Sequence, residues 1–77
     1  MKTIDLSKTV YDLSRQYPDF VPIMVELGFT EMQNSMNLQA MGRMVSPIEG
    51  SKRHNIPMQT LIGKFEAHGF HVVGVKQ

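Results

Sequence analysis

The sequence predicts an all-α domain, a compact array of about five short helices, whose ends can also form a short two-stranded β tie. Three observations lead there. One apolar cadence occurs twice: Phe20, Ile23, Met24 and Leu27 ahead of Gly28-Phe29, then Met58, Leu61, Ile62 and Phe65 ahead of Gly69-Phe70. Each set recurs at helical spacing and makes one stripe. The glycine behind it can take the left-handed conformation that ends a helix, and the phenylalanine can fold back onto the stripe. Prolines 22, 47 and 57 stand where helices begin, and there a missing N–H costs nothing. Strand-like patterning is confined to the two ends of the chain.

Residues 3–6 alternate Ile4 and Leu6 with polar neighbours and read as a short extended segment. Thr9 is an N-cap with Asp12 in the first turn, so the first helix runs over 9–17 with Val10, Leu13 and Tyr17 inward, stopping ahead of Pro18. Asp19 is the N-cap expected for a second helix over 20–27. In the third, over 36–44, Met36, Ala40 and Met44 form one row and Leu38, Met41 and Val45 another, a breadth that predicts a helix central to the core. Ser46-Pro47-Ile48-Glu49 is a capping box with proline at the first helical position, opening a fourth helix over 47–53. The fifth spans 58–68, with Asn55 the nearest capping residue. Residues 71–75 are rich in valine and extended, and can pair with 3–6.

Composition bounds the function. The chain's 77 residues make one domain, 1–77, and a chain this short buries only roughly 60% of the surface its unfolded form exposes. Without cysteine there is no disulfide, Cys-based zinc site, iron–sulfur cluster or thiol nucleophile. No run is apolar enough to span a membrane, and no leader pattern opens the chain, so a cytoplasmic location without membrane contact is expected. The net charge of +1 does not call for a polyanion. It is unevenly spread: residues 1–31 hold Asp5, Asp12, Asp19, Glu26 and Glu31 against Lys2, Lys8 and Arg15, whereas residues 32–77 hold Glu49 and Glu66 against Arg43, Lys52, Arg53, Lys64 and Lys76. Scattered surface charge is the simpler account of that asymmetry.

Several stretches together are similar to a known family. Asp5-Leu6-Ser7-Lys8-Thr9-Val10-Tyr11-Asp12-Leu13, Tyr17-Pro18-Asp19-Phe20 and Met24-Val25-Glu26-Leu27-Gly28-Phe29 carry the resemblance, continued by Met41-Gly42-Arg43-Met44, Ser46-Pro47-Ile48-Glu49-Gly50-Ser51 and Phe65-Glu66-Ala67-His68-Gly69-Phe70. They resemble a bacterial family of small all-helical domains of unknown function. Its members occur alone or at the N-terminus of hemerythrin-like, PAS-type sensory and iron–sulfur cluster repair proteins. The resemblance implies a multi-helical array and assigns no activity. Many relatives carry a Cys pair just after the second helix; here that stretch is Gly28-Phe29-Thr30-Glu31-Met32, so thiol chemistry does not carry over.

The candidate sites are few. His54, His68 and His71 are the nitrogen ligands, but no zinc or haem-attachment spacing accompanies them, and a histidine near a helix C-terminus is favoured by the dipole alone. Arg43, Lys52 and Arg53 with His54 form one basic concentration, short of the cations and interleaved aromatics that nucleic-acid binding calls for. Gly42 and Gly63 inside helical patterns suggest close helix approach rather than a phosphate loop. Met32, Met36, Met41 and Met44 fill a plastic core in the simpler reading; in the other they make an adaptable docking edge, with Met36, Met41, Arg43 and Met44 as the partner surface. Catalytic groupings are absent from the pattern, and so small an array has little room for a ligand pocket.

The reading that results is a non-catalytic interaction or accessory sensory module without a cofactor, whose partner is another protein or a second copy of the chain. The alternative is a small-ligand or metal/haem-responsive binding domain using the histidines and the methionine-rich stretch. The two differ in a melting experiment, because a ligand that binds only the folded state raises Tm. Near-stoichiometric Zn²⁺, Ni²⁺ or haemin is expected to leave Tm unchanged; a rise abolished by replacing His68 and His71 would establish the alternative.

Overall fold

A computed structural model describes residues 2–75, leaving Met1, Lys76 and Gln77 outside. The order is β1 (Lys2–Asp5), α1 (Val10–Gln16), α2 (Phe20–Glu26), a 3₁₀ turn (Thr30–Gln33), α3 (Ser35–Met41), α4 (Pro47–Arg53), α5 (Met58–Ala67) and β2 (Phe70–Val73). The five helices are joined by a parallel two-stranded sheet, so the fold is mostly helical rather than all-α. Lys2 lies opposite Phe70, Thr3 opposite His71, Ile4 opposite Val72 and Asp5 opposite Val73. The Leu6 N–H extends the ladder to the Val73 carbonyl at 3.1 Å. Both strands begin one residue earlier than the valine-rich pattern suggests, because Lys2 and Phe70 join the register.

Local chemistry explains most of the boundaries. The Thr9 hydroxyl accepts the Asp12 N–H at 3.2 Å and opens α1. Both halves of the capping box at α4 are made, with Glu49 N–H donating to the Ser46 hydroxyl at 3.2 Å and Ser46 N–H to the Glu49 carboxylate at 3.0 Å. α2 ends in a Schellman pair: Phe29 N–H donates to the Met24 carbonyl at 3.1 Å and Gly28 N–H to the Val25 carbonyl at 3.0 Å. Gly28 takes φ +111° and Gly69, behind α5, φ +87°, a region that side-chain-bearing residues rarely enter.

Two caps differ from expectation. Asp19 precedes α2 in a helical conformation without a side-chain capping bond, and its carboxylate pairs with Lys2 at 3.3 Å. Asn55 adopts φ 56° behind α4, so it closes that helix instead of opening α5. Gly63 has open space where a Cβ would stand, so close approach does not explain it.

The core unites the two helices of the repeated cadence with both ends of the chain. Ile4 and Leu6, Val10 and Leu13, Phe20, Ile23 and Met24, Phe29, Leu61, Ile62 and Phe65, and Phe70 are all buried. Phe20 stacks on Phe65 at 5.7 Å between ring centroids, and Phe70 meets Phe65 and Tyr17 edge-on at 5.8 and 5.2 Å. Leu27, expected in the core, is half-buried because it caps α2. The larger correction concerns α3, which ends at Met41 instead of 44 and buries no residue. Leu38 and Val45 rest against the core while the methionines between and before them face outward, so the broad stripe belongs to a peripheral helix.

Leu61→Ala or Phe65→Ala is therefore expected to lose roughly 2–5 kcal/mol of stability in urea unfolding, through lost transfer energy and a residual cavity. Met36→Ser is expected to stay within about 0.5 kcal/mol, as for other exposed positions.

Candidate functional site

α3 is positioned by its ends. The Asn34 side chain accepts the Met36 and Asn37 N–H groups at 2.9 and 3.3 Å and starts the helix. Past its C-terminus, the Gly42 carbonyl accepts the Tyr11 N–H and the Val45 carbonyl accepts the Val10 N–H, each at 2.9 Å. The first turn of a helix has N–H groups without intrahelical partners, and here loop 42–45 satisfies two of them. A Cβ at position 42 would collide with the Leu38 carbonyl oxygen and stand 3.2 Å from the Tyr11 nitrogen, so glycine fits this close approach where a side chain does not.

The clasp delivers Arg43 to the face of Tyr11, its guanidinium carbon 4.4 Å from the ring centroid. Arg15, one turn along α1, donates to the Tyr11 hydroxyl at 3.0 Å. The Arg15 and Arg43 guanidiniums, Arg15 foremost, hold the Tyr11 phenol below its ordinary ionisation range because they favour the phenolate. Over residues 36–44 the chain exposes Met36, Met41 and Met44 at 78%, 54% and 74% of their accessible surface. Among the described residues only Val73 joins them as an exposed large apolar side chain. The four residues singled out from the sequence thus lie on or just behind α3, with the three methionines open to solvent.

Behind α3 lies a feature the sequence did not reveal, a cleft of about 310 Å³. Its apolar wall joins Val10, Met24, Phe29, Leu38, Val45 and Pro47, with Met32 and Met41 at the edge and Gly50 opening space beside the Phe29 ring. Glu31, Asn37, Arg53 and His54 supply its polar groups. The expectation that so small an array has little room for a ligand pocket is therefore corrected: residues of α1, α2, the 3₁₀ turn, α3 and α4 line one gap together. Phe29 behind the Gly28 stop and the glycine at position 50 were the available signals.

The histidines occupy separate environments. His54 caps α4 at the cleft, its ring 4.5 Å from the Phe29 centroid and Nε2 3.6 Å from the Glu31 carboxylate. His68 faces Glu26 at 3.6 Å, where Lys64 also binds that carboxylate at 2.7 Å. His71 lies exposed on β2. Among the described residues no three His, Cys, Asp or Glu side chains gather as metal ligands, and no helix is long and apolar enough to cross a membrane. Lys52 and Arg53 sit in the last turn of α4, where the dipole favours cations, away from the Arg43–Tyr11 stack in sequence and on a different helix.

The Tyr11 environment has a direct spectroscopic consequence. In a pH titration of the chain with ¹³C-labelled tyrosine, the Tyr11 ring signal is expected to move at lower pH than free tyrosine. Arg15→Ala is expected to raise that midpoint, since it removes the donor that most favours the phenolate; an unchanged midpoint would separate the two side chains in solution.

Comparison with known proteins adds the context of descent. Residues 4–62 match the family described as Domain of unknown function (DUF1858). Among solved structures the chain is similar to the conserved domain protein from Streptococcus pneumoniae TIGR4, a crystal structure, at 34% sequence identity. The likeness covers 99% of this chain and 96% of that one, with a TM-score of 0.93. No curated protein matches. A family match over more than half of the chain and a likeness over nearly all of it lead to one conclusion: the chain belongs to the DUF1858 family of domains of unknown function.

Proposed function

We propose that the domain is a non-catalytic interaction module that meets a partner protein over the edge formed by Met36, Met41, Arg43 and Met44. One observation carries this reading: three of the four exposed large apolar side chains among the described residues fall within one stretch of nine residues. Apolar side chains scattered singly are ordinary on a surface, whereas three exposed within so short a stretch give a partner several apolar anchors on one element and the loop behind it. Methionine suits such an edge because its unbranched thioether chain repacks against different shapes. Arg43, held over the Tyr11 ring, has no carboxylate partner among the described residues, so its fork is available to one on the partner. The partner surface is thus apolar with a carboxylate beside it. A second copy of the chain is one protein that could meet this edge. The resemblance to domains found ahead of hemerythrin-like, PAS-type sensory and iron–sulfur cluster repair regions supports an accessory sensory role in the same terms.

A second reading, small-ligand binding, is favoured by the cleft behind α3, whose volume reaches the lower range of ligand sites, about 300 Å³.

The interaction reading predicts that proteins retained by the wild-type domain are lost on Met36→Ser/Met41→Ser/Met44→Ser and weakened by Arg43→Glu, while the circular dichroism of both variants stays wild-type. Sedimentation velocity of the purified chain identifies the case in which the retained partner is a second copy. Equal retention by wild-type and variants would remove this edge as the partner surface.

A further inference from the structure

We propose that the cleft between the 3₁₀ turn, α3 and α4 binds a small amphipathic carboxylic acid, with its apolar body on Phe29, Met24 and Leu38 and its carboxylate on Arg53. The proposal rests on the small-ligand reading and names the class of ligand. The walls set the body of that ligand. Val10, Met24, Phe29 and Pro47 are buried side chains that reach the cleft from four separate parts of the chain. No buried side-chain nitrogen or oxygen among the described residues lacks a hydrogen-bond partner, so the inner wall presents no orphan polar group for a hydrophilic ligand to satisfy.

The polar groups set its head. Glu31 and His54 face one another at 3.6 Å, which gives the carboxylate of the cleft a neighbour of its own. Arg53 lines the same cleft and has no carboxylate within ion-pair distance among the described residues. Its place in the last turn of α4 is favoured by the helix dipole whether or not a ligand is present, so the cation is provided in advance. A cationic ligand meets repulsion there, and a neutral apolar one removes water from the guanidinium without replacing its hydrogen bonds. A carboxylate offers two acceptors to the guanidinium fork. The Asn37 amide is a further neutral donor on the lining.

The test compares 4-phenylbutyrate with 4-phenyl-1-butanol, which share a carbon skeleton and differ in the head group, by ¹⁵N NMR titration of the full chain. The acid is expected to shift the Phe29, Leu38 and Gly50 amides saturably and to bind about tenfold tighter than the alcohol, the scale of one charge-assisted hydrogen bond. Arg53→Met is expected to bring the acid down to the level of the alcohol, whereas Lys52→Met, which alters a neighbouring charge outside the cleft, leaves the difference intact. Equal binding of acid and alcohol, or an acid preference that survives Arg53→Met, overturns the proposal and leaves small-ligand binding standing. Failure of both compounds to shift the cleft amides, or shifts confined to Met36 and Met44, overturns the proposal and the small-ligand reading together.

Discussion

The parallel pairing of β1 with β2 is the constraint on which the rest of the structure depends. Antiparallel neighbours can be joined by a tight turn, but parallel neighbours need a crossover connection. Here that connection is the whole helical array between Asp5 and Phe70. The pairing also inserts Ile4, Leu6 and Phe70 into the same core as α1, α2 and α5, and the Tyr17 hydroxyl donates to the Thr3 carbonyl from beside Phe70. A domain this small has few side chains to bury, so drawing both ends into the centre makes the core continuous. The helices left outside that arrangement, α3 and most of α4, are free to form an edge and a cleft.

That division accounts for what the sequence disclosed. Leu13, Ile23, Leu61, Ile62 and Phe65 were legible as core because their stripes are narrow and aligned with strong local stops. The Ser46–Glu49 box, the Thr9 cap and the Gly28-Phe29 ending were legible because each is satisfied within a few residues. The third helix misled for a physical reason. Periodicity locates an apolar face without saying what covers it, and methionine keeps an apolar pattern while tolerating water better than a rigid branched chain would. The strand direction was equally out of reach, since two isolated four-residue segments carry no signal for parallel or antiparallel pairing.

The candidate site was half legible. Met36, Met41, Arg43 and Met44 stand out in the sequence as a group, yet the Tyr11 face that holds Arg43 belongs to a helix some thirty residues earlier. The cleft was less legible still, because its walls come from positions 10, 24, 29, 38 and 50 and a gap between distant elements leaves no periodic trace. The absence of a Cys pair behind α2 takes on spatial meaning in this light. Phe29, Glu31 and Met32 from that stretch contribute an aromatic wall, a carboxylate and a thioether to the cleft.

The strand register also has a mechanical side. Lys2 and Phe70 stand together at one end of the sheet, and Asp5 and Val73 at the other. Tension applied between residues 2 and 73 therefore pulls the two strands in opposite directions along their own length. The hydrogen bonds of the ladder share that load as a group in shear, instead of opening one after another as they would if the strands were peeled apart. A neighbour attached at either end would be tethered through a ladder loaded in shear.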